Sequence, residues 1–222
     1  MRGQPRRAMA ALALGLALVV GTAWAEVVCR TARPLDGRPA RVAESTLADV
    51  VADGARASVK AEAALVQAGQ LRPKVIPEGE VTGEALRSAL LYPDEPVVLV
   101  EMAGSTLRAA LERGLSVLPQ PSNGFLQVSG LAVTYLATNA PGERVVAVKV
   151  GRSALEETRQ YRVAMPQSLA KGTLGYFRIF DGLRPKETGP GLGAAVVEYA
   201  KGVELLDIVP GNRLVDATRR SE

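Results

Sequence analysis

The order in which helical and strand patterns follow one another constrains the fold of this chain more than any other feature. Residues 44–61 have the apolar spacing of an amphipathic helix, and residues 63–67 form an apolar segment of strand length. A short helix at 82–92, an apolar strand at 97–102 and another short helix at 104–114 are predicted next. Helices and strands therefore interleave in the first half of the chain.

Strand patterns dominate the second half. Residues 125–137 alternate between apolar and polar side chains, and residues 144–150 are predicted to return as their partner strand after a turn. Strands at 161–165 and 203–209 flank a last helix at 194–201. This order favours a mixed α/β (α+β) domain with a partly antiparallel sheet and flanking helices, and it argues against a doubly wound sheet.

The helix ends carry residues that satisfy free backbone groups. Ser45, Thr82 and Ser105 are the predicted N-caps of the three early helices, and Gly114 is predicted to close the third. A hydroxyl side chain at an N-cap accepts a hydrogen bond from a free N–H of the first turn. These residues therefore predict where each helix begins.

The first 25 residues have the pattern of a secretory signal peptide. A basic start is followed by an apolar run at 10–21 and by a small-x-small sequence that ends at Ala25. No later stretch approaches the roughly 20 apolar residues of a membrane span. We therefore expect an exported protein, periplasmic or extracellular, without a membrane span after signal cleavage.

The composition after the signal predicts one domain with short ends. Residues 26–40 contain two prolines and a glycine, which is typical of a leader. Residues 41–215 are long enough for one domain with a substantial core, and residues 216–222 are predicted to be a tail.

The charge balance excludes a strongly basic protein. The chain has 27 Lys and Arg against 23 Asp and Glu. Residues 1–25 contain three Arg and no acid, so the remainder has 24 against 23, a net charge of +1. No basic patch predicts binding to nucleic acid or to a membrane surface.

The chain contains no histidine and a single cysteine. A histidine-dependent metal centre or serine hydrolase triad cannot be built from such a chain, and no pair of acids stands out as a general acid and base. We predict no catalytic residue, metal site or cofactor. Cys29 cannot form an intrachain disulfide, which leaves a free thiol on the leader or an intermolecular bridge.

Blocks of the sequence resemble one family in order and spacing. They span roughly residues 40–215 and read ESTLADVVADG, ALVQAGQLR, VVLVEMAGSTLRAALERG, GFLQVSGLAVTY, GERVVAVKVG and YRVAMPQSLAKGTLGY. The chain resembles the C-terminal domain of secreted 5'-nucleotidases, a family that includes UDP-sugar hydrolases and cyclic phosphodiesterases. The resemblance implies a layered α/β domain that binds the nucleoside, beside a separate metallophosphatase domain for which this chain has no room.

The resemblance also implies positions for a nucleoside site. The family pattern Asn-Gly-Gly-x-Ile-Arg corresponds here to Gln67, Gly69 and Arg72 with their neighbours, so glycine and arginine are kept and glutamine replaces asparagine. Tyr92 stands beside the position of one base-stacking phenylalanine, which is a proline here. The expected substrate-binding residues are thus Gln67, Gly69, Arg72 and Tyr92.

Other positions depart from the family pattern. Ser168 occupies the place of the second stacking phenylalanine, and Leu174 that of the acid that holds the ribose. Stacking on an aromatic ring contributes roughly 1–3 kcal/mol per base. We therefore expect weak or no nucleotide binding.

Three functions remain open at this point. The first is a non-catalytic binding or scaffold domain with a degenerate nucleoside site. The second is the specificity subunit of a split nucleotidase, whose partner would be a metallophosphatase chain or another exported protein. The third is a small-anion binder that uses Arg72 and Lys171; alternatively Arg72 is a surface residue paired with Glu62 or Glu80.

Overall fold

The computed structural model describes residues 26–220, with side chains through residue 218. The strands are β1 (Val27–Thr31), β2 (Leu35–Asp36), β3 (Ala63–Gln67), β4 (Val75–Ile76), β5 (Gly79–Thr82), β6 (Pro96–Ala103), β7 (Leu126–Ser129), β8 (Leu131–Tyr135), β9 (Val145–Val150), β10 (Ser153–Ala154), β11 (Gln160–Pro166), β12 (Pro185–Gly191), β13 (Leu205–Leu206) and β14 (Leu214–Asp216). The α-helices are α1 (Thr46–Ser58), α2 (Gly83–Ser88), α3 (Gly104–Leu115), α4 (Gln167–Ala170) and α5 (Leu192–Lys201). Short 3-10 helices occupy Arg38–Arg41, Ala68–Gln70, Thr173–Gly175 and Ala217–Arg220.

The central sheet has the strand order β12-β6-β11-β3-β7. Strand β6 pairs antiparallel with β12 and β11, β11 pairs parallel with β3, and β3 pairs antiparallel with β7. A second sheet has the order β10-β9-β8-β14. The strand predicted over residues 125–137 is divided: β8, its second part, forms the predicted hairpin with β9, whereas β7, its first part, pairs with β3 in the central sheet. The mixed α/β class with a partly antiparallel sheet is confirmed.

Alternate residues of the central strands face two separate cores. In β6, Val98, Val100 and Met102 belong to one core, and Val97 and Leu99 belong to the other. Helix α3 and the second sheet contribute to the first core, and helices α1, α2 and α5 contribute to the second. Because successive strand side chains point to opposite faces, a continuous apolar run is what a sheet covered on both faces requires.

Helices α1 and α5 pack closely at Gly54. A Cβ added to Gly54 would lie 2.7 Å from the Cα of Val196. Since no real Cβ atom tolerates such a contact with backbone, glycine is what allows the two helices to approach here.

Two of the predicted helix caps are confirmed. Ser45 Oγ accepts a hydrogen bond from the N–H of Ala48 at 3.3 Å, and Thr82 Oγ1 accepts one from Ala85 at 3.0 Å. Both helices begin directly after these residues, as the sequence predicts.

The predicted cap at Ser105 is wrong. Helix α3 begins at Gly104 with Ala103 as N-cap and has no side-chain cap. The N–H groups of Gly104 and Ser105 donate instead to the carbonyls of Arg159 and Glu157, each at 2.9 Å. Tertiary acceptors thus satisfy free N–H groups of the first turn, and the helix continues through Gly114 to Leu115.

The segment 26–40 differs from the expected leader. Strand β1 lies between β13, to which it is parallel, and β5, to which it is antiparallel, and β2 pairs with β4. Cys29 on β1 is buried at 6% exposure, and this burial raises the pKa of its thiol. The thiol is therefore a core residue within the described structure and not a group on an extended leader.

The sequence patterns also fail at two late strands. Strand β12 was not expected from Pro185–Gly191, because its prolines and glycines are turn residues; it is an edge strand with irregular pairing, where proline is tolerated. The strand predicted at 203–209 is reduced to β13, Leu205–Leu206. At the C-terminal end, β14 and the 3-10 helix Ala217–Arg220 continue regular structure into the predicted tail. The predicted signal peptide lies outside the described residues.

Candidate functional site

The turn after β3 is fixed by the loop that precedes β7. Gln67 ends β3 and is followed by the 3-10 helix Ala68–Gln70. The N–H of Gly69 donates to the carbonyl of Asn123 at 2.9 Å, and a Cβ on Gly69 would lie 3.2 Å from the Cβ of Asn123. The close approach of the two loops favours glycine at this position.

This turn forms one wall of a cleft of about 400 Å³, which we call the glutamine cleft. The structure brings together three of the expected site residues here, together with the two positions that depart from the family pattern. The lining residues are Gln67, Gly69, Gln70, Tyr92, Glu95, Asn123, Ser168, Thr173 and Leu174.

The carboxylate of Glu95, which the sequence patterns did not single out, joins two parts of the lining of the glutamine cleft. Glu95 Oε2 accepts a hydrogen bond from Gln70 Nε2 at 2.5 Å, and its Oε1 accepts one from the N–H of Ser168 at 2.6 Å. The acidic turn between two prolines, Pro93 to Pro96, was the available signal, but nothing in the sequence places it beside Ser168.

The side-chain amides of Gln67 and Gln70 are only partly paired. Gln67 Nε2 donates to Ser168 Oγ at 3.0 Å. The Oε1 atoms of Gln67 and Gln70 are buried and accept no hydrogen bond from the described residues. An unpaired buried acceptor is costly, so an N–H or O–H donor that reached either oxygen would stabilise the folded cleft.

The remaining walls offer apolar surface. Tyr92 is 61% exposed, and Leu174 is 41% exposed with a left-handed φ of 60°. The lining residues include the carboxylate of Glu95 but no lysine or arginine. An uncharged, planar ligand with hydrogen-bond donors therefore suits this cleft better than a phosphate group.

Arg72 does not line the glutamine cleft. Its Nε donates to the carbonyl of Leu90 at 3.2 Å, and its side chain lines a separate cleft of about 550 Å³ with Glu84 and Arg87. Glu62, one of its suggested partners, pairs with Arg159 at 2.5 Å. Arg72 and Lys171 also lie in different clefts, so a single anion site made from both is not formed.

A buried acidic cluster surrounds Arg213. Glu44, Asp49 and Asp53 are each at most 8% exposed. Arg213 Nη2 lies 2.8 Å from Asp53 Oδ2, and its Nε lies 3.4 Å from Asp49 Oδ1. Burial raises the pKa of Asp49 to about 8, against the opposing effect of Arg213.

This cluster fastens the C-terminal segment to the core. Glu44 accepts hydrogen bonds from the backbone N–H groups of Gly211, Arg213 and Leu214 at 2.7 to 2.9 Å. None of its acids lines the clefts that contain Tyr92, Arg72 or Lys171. We therefore assign a structural role to this cluster of Glu44, Asp49, Asp53 and Arg213, and we call it the clamp.

Two kinds of feature are absent from the described residues. Among them, no group of three or more acidic or cysteine side chains is arranged to hold a metal ion. In the same part of the chain, no helix is both long and apolar enough to cross a membrane.

The known sequences similar to this chain include 5'-nucleotidases and a nucleotide phosphoesterase. The family model described as "5'-nucleotidase, C-terminal domain" matches residues 19–182. The trifunctional nucleotide phosphoesterase protein YfkN of Bacillus subtilis (strain 168) is 31% identical over 154 residues, which are 64% of this chain and 10% of that protein. The 5'-nucleotidase of Homo sapiens is 33% identical over 119 residues, 50% of this chain and 21% of that protein. The chain thus spans about a tenth to a fifth of these two relatives.

Comparison with solved structures gives the same fold. The 5'-nucleotidase precursor from Thermus thermophilus superposes with a TM-score of 0.74 at 25% identity, over 85% of this chain and 39% of that one. The sulfate thiohydrolase SoxB of the same organism has a TM-score of 0.66 at 20% identity over 86% of this chain and 35% of that one, a likeness of fold alone. Because the family model covers more than half of its length, this chain belongs to the family of 5'-nucleotidase C-terminal domains.

Proposed function

We propose that this domain is a non-catalytic binding module whose nucleoside site is degenerate. The observation that carries the proposal is the composition of the glutamine cleft. Gln67, Gly69 and Tyr92 converge there, but Ser168 and Leu174 stand where the resemblance implies a second aromatic ring and a ribose-binding acid. The cleft therefore has a glutamine amide and one aromatic ring, but it has neither a second ring nor an acid at the ribose position.

Magnitudes support weak binding over strong binding. One missing stacking face removes roughly 1–3 kcal/mol, whereas a micromolar site has about 8 kcal/mol in total. The loss of the ribose carboxylate removes a further charge-assisted hydrogen bond of about 1.5–3 kcal/mol. The remaining contacts, from Tyr92 and the glutamine amides, support an affinity in the millimolar range.

Thermal unfolding of the purified chain in the presence of adenosine, AMP, a UDP-sugar or phosphate tests this proposal. A ligand at about 100 times its Kd stabilises the folded state by roughly 2.7 kcal/mol, several degrees in Tm. We expect adenosine at about 100 μM to leave Tm unchanged and to raise it only at millimolar concentration. A shift of several degrees at the lower concentration would overturn the degenerate-site proposal.

Matched variants identify the cleft responsible. Tyr92→Ala is expected to abolish the small shift produced by adenosine, because this ring lines the glutamine cleft. Phe177→Ala is the control, since Phe177 is equally exposed, at 60%, but does not line that cleft. An equal effect of the two substitutions would contradict the assignment of the cleft.

The alternative proposal is a specificity subunit of a split nucleotidase. It is supported by the names of the relatives, a phosphoesterase and a 5'-nucleotidase. In this case the chain would bind a metallophosphatase chain and the pair would hydrolyse a nucleotide. Hydrolysis of AMP by a metallophosphatase chain that rises when this chain is added, and falls again with Tyr92→Ala, would favour the alternative.

We also propose export, on the strength of the N-terminal sequence pattern. The expected mature protein begins at Glu26. N-terminal sequencing of the protein recovered from the periplasm or the medium tests this, and a protein that keeps residues 1–25 inside the cell would contradict it.

A further inference from the structure

Helix α4 separates the glutamine cleft from another cleft of different chemistry. Ser168 faces the glutamine cleft, whereas Gln167 and Ala170, three residues apart and so on one helix face, line the second cleft of about 540 Å³. We call it the basic cleft. The residues that give it its character are Lys171, Phe177, Arg178, Phe180, Asp181 and Arg184.

Buried aromatic rings position the wall of the basic cleft. Tyr176 and Phe180 are buried and stack with ring centroids 5.5 Å apart. Tyr176 is fixed further by its hydroxyl, which donates to the carbonyl of Gly124 at 2.6 Å. With both anchors inside the core, Phe177 and Arg178 between them are directed outward, and Phe177 is 60% exposed.

The side chains that line the basic cleft carry more positive than negative charges. Lys171, Arg178 and Arg184 line it together with the carboxylate of Asp181. Lys171 Nζ lies 3.3 Å from the amide oxygen of Gln167, and Arg184 Nη1 donates to the neighbouring carbonyl of Leu183 at 3.0 Å. Within the described part of the chain, none of the three cations forms an ion pair.

The exposed ring lies next to these cations. The guanidinium carbon of Arg178 is 5.6 Å from the centroid of Phe177. Beside Arg178, the ring of Phe177 supplies an apolar face for a ligand whose anionic group the cations bind.

We propose that the basic cleft binds an oxyanion attached to a ring, such as a phosphate monoester of a flat, apolar group. The oxyanion is bound by Lys171, Arg178 and Arg184, and the ring packs on Phe177. The site differs from the nucleoside site in place and in charge, and it does not depend on the glutamine cleft binding any ligand. It also differs from a site made from Arg72 and Lys171, because Arg72 lies in another cleft.

Titration of the purified, isotope-labelled chain with phenyl phosphate, inorganic phosphate and phenol, followed by amide NMR, tests the proposal. Phenyl phosphate is expected to shift amides within residues 167–185 and to bind about five- to tenfold more tightly than inorganic phosphate, because of the ring contact. Phenol should not bind, and the affinity for both phosphates should fall as salt is raised.

Variants separate the charge from the ring. The triple substitution Lys171→Gln, Arg178→Gln and Arg184→Gln should lower the affinity for phenyl phosphate by at least about tenfold. Phe177→Ala should lower the affinity for phenyl phosphate to that for inorganic phosphate. All four side chains are exposed, so Tm should be unchanged. Lys149→Gln and Val146→Ala, exposed residues of β9, are the matched controls and should bind as the parent does.

The outcomes distinguish this site from the proposed nucleoside site. Phenyl phosphate binding that survives Tyr92→Ala supports the basic cleft as an independent site. Equal affinity of the parent and the triple variant, or amide shifts spread outside residues 167–185, would overturn the anion site. Equal affinity for phenyl phosphate and inorganic phosphate would overturn the role of Phe177.

Discussion

Arg213 and Asp53, 160 residues apart in sequence, form a bidentate ion pair. Arg213 Nη1 lies 2.9 Å from Asp53 Oδ1, and Nη2 lies 2.8 Å from Oδ2. The pair joins the segment before β14 to helix α1. Asp53 also accepts a hydrogen bond from Ser129 on β7, so one carboxylate connects three parts of the fold. Because the pair is largely buried, each partner depends on the other for compensation of its charge.

Replacing Arg213 with methionine should therefore be strongly destabilising. The substitution leaves the acids of the cluster without their cation, and we expect a loss of about 3–5 kcal/mol in the free energy of unfolding. Urea unfolding followed by circular dichroism measures it. The control is Arg33→Met, which breaks the exposed pair with Asp207 and should cost at most about 1 kcal/mol. Similar losses in the two variants would contradict a structural role for the clamp.

Asp49 should make stability fall as the pH rises. Its pKa is about 8 in the folded protein and 3.8 as an ordinary side chain. Between these values the unfolded chain releases the proton that the folded chain keeps, so the free energy of unfolding decreases with pH and levels off above about 8. Asp49→Asn removes this proton, and its stability relative to the parent should rise across that window.

The control for Asp49 is Asp36→Asn. The hydrogen bonds from Arg38 lower the pKa of Asp36, so its proton uptake lies below pH 3.8. The stability difference between Asp36→Asn and the parent should stay constant from about pH 5 to 9. A constant difference for Asp49→Asn as well would show that Asp49 is ionised in the folded protein at neutral pH.

Gly54→Ala should destabilise the domain although alanine is the better helix former. Alanine gains about 1 kcal/mol in helix propensity, but its Cβ meets the backbone of Val196 and forces α1 and α5 apart. We expect a net loss of about 1–3 kcal/mol from this overpacking, measured by urea unfolding. Gly202→Ala, with its nearest neighbour at 3.4 Å, should be tolerated. A gain in stability for Gly54→Ala would show that the helices move apart at no cost.

Ser168→Phe should rebuild part of the proposed nucleoside site. The new ring would stand in the glutamine cleft, which Tyr92 also lines. Calorimetric titration should show adenosine binding about 5- to 150-fold more tightly, which corresponds to a stacking gain of roughly 1–3 kcal/mol. Val146→Phe adds an exposed ring on β9 and should leave adenosine binding unchanged. No gain from Ser168→Phe would remove the support for a nucleoside-related cleft.

Several local elements of this protein follow directly from patterns in its sequence. The alternation and length of apolar runs predicted β3 and β6, and the hydroxyl residues Ser45 and Thr82 predicted two helix starts. These features depend on backbone geometry and on neighbours within a few residues, which the sequence displays directly. The order of these elements predicts the mixed sheet, and the ordered sequence blocks carry the resemblance to the family.

The folded structure sets which distant residues meet. It paired Arg213 with Asp53, placed Ser168 beside Gln67 across 101 residues, and separated Arg72 from both. It also built Val27–Thr31 into a sheet, where the composition around it favours a leader. The physical reason is that burial, ion pairing and strand pairing depend on contacts between segments far apart in the chain, and no local pattern of side chains specifies those contacts.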